Sequence, residues 1–264
     1  MTTDQPPPEG AATPPTPAAT LVVFRRAPAG GPPELLMIER AAHMRFAARA
    51  TVFPGGRVDP ADHALAARLA PAGAPLPAEE TANRIAAIRE TLEETGLLVG
   101  VNQAVTARAA AEARAVLLDS GKLGTVLERF GWALALDRLV PFARWCPNRE
   151  RAFDTRFYLT DLGTGAVDLA VDGTENSRLF WSSAADTLAS ADRGGPQVIF
   201  PTRRNLERLA LFAEFSEAAD HAAAHPVTTI SPWIEERDGE RHLTIPEGRG
   251  YPVTSQPLAT AMRG

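Results

Sequence analysis

Three carboxylates crowd the end of one helix-forming segment: Glu90, Glu93 and Glu94, in the run Arg89-Glu90-Thr91-Leu92-Glu93-Glu94-Thr95-Gly96-Leu97. Residues 78–95 have helix-forming composition, with Ile85, Ile88 and Leu92 recurring at i, i+3 and i+7 as a buried stripe. Gly96 follows as a natural left-handed terminator. On such a helix Glu90 lies one turn from both Glu93 and Glu94, with Cβ atoms roughly 5–6 Å apart. The last turn carries the negative end of the helix dipole, where cations are favoured. Arg89, four residues before Glu93, offsets only part of the repulsion. A plain solvated acidic face would explain an isolated Glu-Glu pair. Carboxylates gathered against the dipole are instead expected where function overrides stability. A hard divalent cation that needs several oxygen ligands resolves the conflict.

A second stretch supports the metal reading. Val52-Phe53-Pro54-Gly55-Gly56-Arg57-Val58-Asp59 reads as a strand ending in a turn. Pro54 stops the ladder, and Gly55-Gly56 permit positive φ and close backbone approach to a ligand. A glycine turn followed by a carboxylate-bearing helix resembles the signature of the Nudix hydrolases, G-x5-E-x7-R-E-U-x-E-E-x-G-U, where U is apolar. Residues 89–97 match its second half, with Thr91 at the first apolar slot. The first half departs. Gly56 and Arg89 are 33 positions apart, 19 more than the pattern's 14. Counting forward from Gly56 puts Asp62 at the first glutamate slot, and counting back from Arg89 puts Thr81 there. Glu79 and Glu80 are near misses, so that slot is assigned to no residue.

The resemblance covers residues 21–189 and implies an α/β/α sandwich with a mixed β-sheet. It also implies hydrolysis of a nucleoside diphosphate linked to another moiety, with Mg²⁺ or Mn²⁺. On the family's pattern Glu90, Glu93 and Glu94 are metal ligands, and one of them also takes the proton. Arg89 orients a carboxylate, and Gly56 brings backbone groups to the metal-bound phosphate. Glu175, on the segment before a strand near Trp181, is a candidate extra ligand or base. The segment Leu35-Leu36-x3-Arg40, Arg45-Phe46 and residues 53–62 resembles the region before the box in coenzyme A diphosphatases. Coenzyme A or an acyl derivative is therefore the leading substrate. NADH and ADP-ribose-type dinucleotides, or a non-catalytic binding module of the same fold, are the alternatives. Arg45 and Arg49, with Gly55 and Gly56, are candidate substrate-binding residues. The two arginines could read the 3′-phosphate of coenzyme A, or stand as exposed loop charges.

The elements that must position these groups can be read along the chain. Residues 1–20, rich in Pro and Ala, read as a disordered tail. A single Nudix-type domain over 21–264 follows, with an insertion at 63–80 and a helical and loop extension from about 190. Residues 21–26, 34–40, 52–53, 97–101, 139–145, 153–160, 166–171 and 178–181 have strand composition. Helices are expected at 62–70, 78–95, 103–118, 123–134 and 202–224, with another capped by Ser182 or Ser183 and reaching residue 189.

Composition excludes other classes. A net charge of −5 disfavours a general nucleic-acid or anionic-membrane binder. Met1 to Thr20 contains no Lys or Arg and no apolar core, so it does not read as a secretory signal. No run approaches the ~18 apolar residues of a membrane span. Cys146 is the lone cysteine, which removes internal disulfides and Cys-rich zinc sites. The expectation is a cytoplasmic enzyme whose partner is a small nucleoside diphosphate, with no nucleic acid or membrane partner and with a homodimer left open. No Walker loop and no G-x-S-x-G elbow are present. His221 and His225, four apart, read as surface histidines on a helix. Arg144, Arg149, Arg151 and Arg156 form a basic cluster that could meet phosphates or simply be exposed.

Overall fold

A computed structural model describes residues 14–41, 49–69, 76–162 and 176–261. Its strands are β1 (Thr16–Arg25), β2 (Glu34–Arg40), β3 (Thr51–Val52), β4 (Gly55–Arg57), β5 (Val140–Trp145), β6 (Phe153–Asp161), β7 (Asn176–Ser183), β8 (Thr229–Ile230), β9 (Trp233–Arg237), β10 (Glu240–Thr244) and β11 (Ser255–Pro257). The helices are α1 (Pro60–Leu69), α2 (Ala78–Thr95), α3 (Ala107–Ser120), α4 (Leu123–Phe130), α5 (Ala184–Asp192), α6 (Phe200–Leu209), α7 (Phe215–Ala224) and the single turn α8 (Leu258–Ala261). Among the described residues β1 to β8 make one mixed sheet, ordered β3-β2-β1-β6-β5-β8, with β4 paired to β1 and β7 to β2.

The apolar run of β1 explains the layering. Leu21 and Val23 point to one face and Val22 and Phe24 to the other, all at most 1% exposed. Leu21, Val23 and Leu36 join the core under α1, α2, α3 and α4. Val22, Phe24, Leu35 and Met37 join a second core under α5, α6 and α7. The result is the expected α/β/α sandwich with a mixed sheet. β1 runs parallel to β6 over its length and antiparallel to β2 and β4.

Helix α2 sits in the middle of one layer. Ala82, Ile85, Ala86, Ile88 and Leu92 are fully buried, and each large side chain contributes about 1.5–3 kcal/mol. The helix spans the expected residues and ends at Gly96 with φ 75°, whose N–H donates to the carbonyl of Leu92 at 2.9 Å.

Several expectations are corrected. Residues 16–20 belong to β1 and pair with β6 and β4, because Ala18 and Ala19 are small enough to be covered there; residues 1–13 lie outside the described residues. Gly55-Gly56 is a strand against β1, with Thr20 opposite Gly55 and Ala19 opposite Gly56, and Gly56 has no positive φ. Residues 97–101 are buried but make only an isolated bridge from Val101 to Leu134, since helices cover them and no strand lies alongside. α4 stops at Gly131, φ 67°. The helix expected over 202–224 is two, α6 and α7. Phe212 and Phe215 both turn onto the second core, and Glu217 accepts the N–H of Ala213 at 2.7 Å. Ser183 caps α5 as expected, accepting from the N–H of Asp186. The strand expected at 166–171 lies outside the described residues. β9, β10 and β11 form a separate three-stranded sheet.

Candidate active site

The site is built where β4 crosses the C-terminal half of α2. Arg89, whose side chain is 4% exposed, is its centre. Nε and Nη2 of Arg89 donate to both oxygens of Asp62 at 3.0–3.2 Å, and Nη2 also reaches the carbonyl of Arg57 at 2.8 Å. Nη1 pairs with Glu90 Oε1 at 3.0 Å and with Glu93 Oε2 at 3.3 Å. Asp59 lies 3.5 Å from Nη2. One guanidinium thus ties the last turns of α2 to β4 and to the start of α1. Burial opposes its charge, but hydrogen bonds to Asp62 and the nearby Glu90, Asp62 and Asp59 hold its pKa above the usual arginine value.

Glu94 is held apart from this group. It is 6% exposed, with Oε2 accepting from the N–H of Gly55 at 2.9 Å and Oε1 from the amide of Asn176 at 3.3 Å. Burial pushes its pKa up to about 8, the charge of Glu90 adds to this, and the Gly55 and Asn176 donors oppose it. Glu90 is raised to about 7, again by burial first, against the pull of Arg89 and with help from Glu93. Glu93 is the most open of the three, with a side chain 40% exposed.

The glycines act through space. A Cβ on Gly56 would lie 2.3 Å from Oε1 of Glu90, and one on Gly55 would lie 2.4 Å from the carbonyl oxygen of Ala19. The pair lets the strand lie flat between β1 and the carboxylates, a tighter job than the expected turn.

The first-glutamate slot, left open by counting, is filled by Asp62. It is 1% exposed, and it also accepts from the N–H of Asp59 at 2.9 Å, closing the first turn of α1. The forward count from Gly56 pointed to it, so the extra residues enter after Asp62. Asn176 had no sequence signal, because only the pairing of β2 with β7 brings it to Glu94. Arg49 is exposed, with φ 60° and its N–H on the carbonyl of Arg40 at 3.2 Å. Arg45 and Glu175 lie outside the described residues.

Other groups are occupied elsewhere. Arg144 forks onto Asp154 at 2.8 and 2.5 Å, and Arg156 pairs with Glu80 at 3.1 Å, so these members of the basic cluster brace strands and the start of α2. His221 is not a bare surface histidine: it stacks on His225 at 4.1 Å and accepts from Arg208. Among the described residues no three His, Cys, Asp or Glu side chains converge into a ready cation cage. The donor set still suits a hard cation, because Glu90, Glu93 and Glu94 offer oxygens only.

No protein-family model matches the chain. An acyl-coenzyme A diphosphatase, NUDT19 of Gallus gallus, is 28% identical over 258 residues, covering 76% of this chain and 67% of that protein. The crystal structure of a Nudix hydrolase from Alicyclobacillus acidocaldarius superposes with a TM-score of 0.67 at 29% identity, over 80% of this chain and 97% of that one. The chain is similar to Nudix hydrolases in both sequence and fold. The signature-like residues are interrupted in sequence and continuous in space: Gly56, Asp62, Arg89, Glu90 and Glu93 meet, with Glu94 held beside them by Gly55, despite the 19 extra positions. Among the described residues no helix is long and apolar enough to cross a membrane.

Proposed function

We propose that this chain is a Nudix hydrolase that cleaves the pyrophosphate of coenzyme A or an acyl-coenzyme A, with Mg²⁺ or Mn²⁺. The observation that carries the reading is the single Arg89 guanidinium joining Asp62, Glu90 and Glu93 beneath Gly56. Glu90, Glu93 and Glu94 would hold the cation, which when bound neutralises phosphoryl charge and acidifies water. Arg89 keeps Glu90 and Glu93 at one edge of the site. The N–H of Gly55 and the amide of Asn176 aim Glu94 inward. Once a bound cation offsets its burial and keeps it ionised, Glu94 would be placed to take a proton from water. Gly56, having no Cβ, lets the Glu90 carboxylate lie against β4. The similarity to the acyl-coenzyme A diphosphatase favours coenzyme A over NADH or ADP-ribose.

The test is a panel of coenzyme A, acetyl-coenzyme A, NADH and ADP-ribose, each with Mg²⁺, Mn²⁺ or chelator. Coenzyme A should rank first, releasing 4′-phosphopantetheine and adenosine 3′,5′-bisphosphate, and chelation should abolish turnover. Turnover that survives exhaustive chelation overturns the metal reading, and faster hydrolysis of ADP-ribose or NADH overturns the substrate. Arg45→Ala and Arg49→Ala should weaken coenzyme A more than its 3′-dephospho form; equal losses would remove both arginines from that phosphate.

A further inference from the structure

A cavity of about 630 Å³ opens on the other layer of the molecule, where α6 begins. Val198, Phe200 and Arg203 line it from the α6 side, and Gln256, Thr260 and Ala261 from β11 and α8. Val198 and Phe200 belong to the second core, so the sheet stands between this space and the carboxylates of α2. Its volume is that of a small-molecule site. The walls divide by chemistry: Val198, Phe200 and Ala261 are apolar, whereas Arg203, Gln256 and Thr260 offer hydrogen bonds.

Two features there call for an acceptor with negative charge. α6 is ten residues long and starts without a side-chain cap, because Ile199 at its N-cap has no side-chain acceptor. The N–H groups of its first turn carry the positive end of the dipole, roughly half an elementary charge. The second feature is Arg204, which is 2% exposed. Helical side chains of its length lean back towards the N-terminus. Its guanidinium accordingly stacks over Phe200, 5.1 Å from the ring centre, and its Nη2 donates to Oε1 of Gln256 at 3.0 Å. It therefore backs two of the lining residues. Nη2 also reaches Glu207 at 2.7 Å, but Nε and Nη1 are buried with no hydrogen-bond partner. Donors left that way cost about 1–3 kcal/mol each. Burial holds the Arg204 pKa below the ordinary arginine value despite Glu207.

Local charge limits what can bind. Arg203 is paired with Asp192 at 2.6 Å and Arg204 with Glu207 at 2.7 Å, so the two ion pairs nearly cancel. The helix end and the unpaired donors remain, which suits one negative charge and suits a polyphosphate poorly.

We propose that this cavity is a second ligand site, which takes a small monocarboxylate with an apolar body. The carboxylate lies at the start of α6, between the first-turn N–H groups and the Arg204 donors, which the Phe200 ring or the Gln256 amide uncovers by turning aside. The alkyl or aryl part lies against Val198 and Ala261. This site is independent of the diphosphate chemistry proposed above.

The probe is hexanoate, titrated into the full chain by calorimetry and by saturation-transfer NMR, with hexan-1-ol as its uncharged match. Hexanoate should bind at least about 10-fold more tightly than the alcohol. Arg204→Met should weaken hexanoate by about 10-fold or more. That variant leaves Glu207 unpaired and could fail to fold, so Thr260→Trp provides a second reading. Thr260 is exposed at the rim, and an indole there should block the cavity and abolish binding. Glu93→Gln should bind hexanoate as wild type does, because the two sites lie on opposite layers. Absence of hexanoate binding by both methods would assign the unpaired donors to internal water and overturn the proposal. Equal affinity for acid and alcohol, affinity unmoved by Thr260→Trp, or a matching loss in Glu93→Gln would each overturn it as well.

Discussion

The Asp62 carboxylate and the Arg89 guanidinium meet through both oxygens and two nitrogens at 3.0–3.2 Å, and each residue is at most 3% exposed. They are 27 positions apart, and between them lies the extra segment that breaks the signature. A buried pair of this kind is costly to halve, because the survivor keeps its charge without a partner.

Asp62→Ala is expected to destabilise the fold by about 3–5 kcal/mol, the usual cost of orphaning a buried charge. Asp62→Asn should cost less, since the amide keeps one acceptor for Arg89. Both should lower kcat, because Arg89 then holds Glu90 and Glu93 less firmly. Urea denaturation together with kinetics on the best panel substrate measures this, and unchanged stability in Asp62→Ala would refute it.

Glu93→Gln and Glu94→Gln should each lower turnover by orders of magnitude while sparing the fold. Without metal, Glu94→Gln should melt at or above the wild-type temperature. The amide oxygen still accepts from Gly55, and a carboxyl disfavoured by burial and by Glu90 is gone. Added Mg²⁺ should raise the wild-type melting temperature and leave the variants behind. Early melting of both variants without metal would mean that the carboxylates are structural.

Gly56→Ala and Gly55→Ala separate two uses of space. The new Cβ at position 56 meets the Glu90 carboxylate, a side-chain end that can shift, whereas at position 55 it meets the backbone of Ala19 and Thr20. Gly56→Ala should cost about 1–3 kcal/mol and weaken Mn²⁺ binding, read by electron paramagnetic resonance. Gly55→Ala should lose more stability than that, and the reverse order would contradict the packing described.

His221 gives a pH signature remote from the carboxylates. Burial, then the charges of Arg208 and His225, lower its pKa from 6.5 to about 4. Between those values the unfolded chain binds a proton that the fold refuses, so stability falls as pH drops from 6.5 towards 4. His221→Phe should flatten that part of the curve relative to wild type, whatever its offset. Parallel melting curves from pH 7 to 4 would show that this histidine does not titrate differently on folding.

Helix α2 was fully legible from residues 78–96, because its period, its carboxylates and its terminal glycine are local signals. The flat β4 strand was not. Gly55-Gly56 carries turn chemistry in isolation, and only β1 with its small Ala18 and Ala19 makes it a strand. Asp62 was reachable by counting from the glycine, but the extra residues hid which direction of counting to follow. Asn176 could not be read at all, since strand pairing across more than a hundred residues of chain brings it to Glu94. The break between α6 and α7 was equally silent, with no Gly or Pro at 210–214 to mark it.

The position of the extra segment has an evolutionary and engineering consequence. Asp62 is locked to Arg89 at one end and Ala78 opens α2 at the other, so both anchors of the segment are fixed by the rest of the molecule. Lengthening a tether between fixed points adds only about 1 kcal/mol of closure entropy for a few-fold increase in residues. Burial of Leu65 in α1 offsets a cost of that size. Chain can therefore be added, trimmed or exchanged beyond Leu69 without retuning helix α2. That makes this stretch the natural place for related enzymes to diversify, and the natural port for a grafted loop or a reporter.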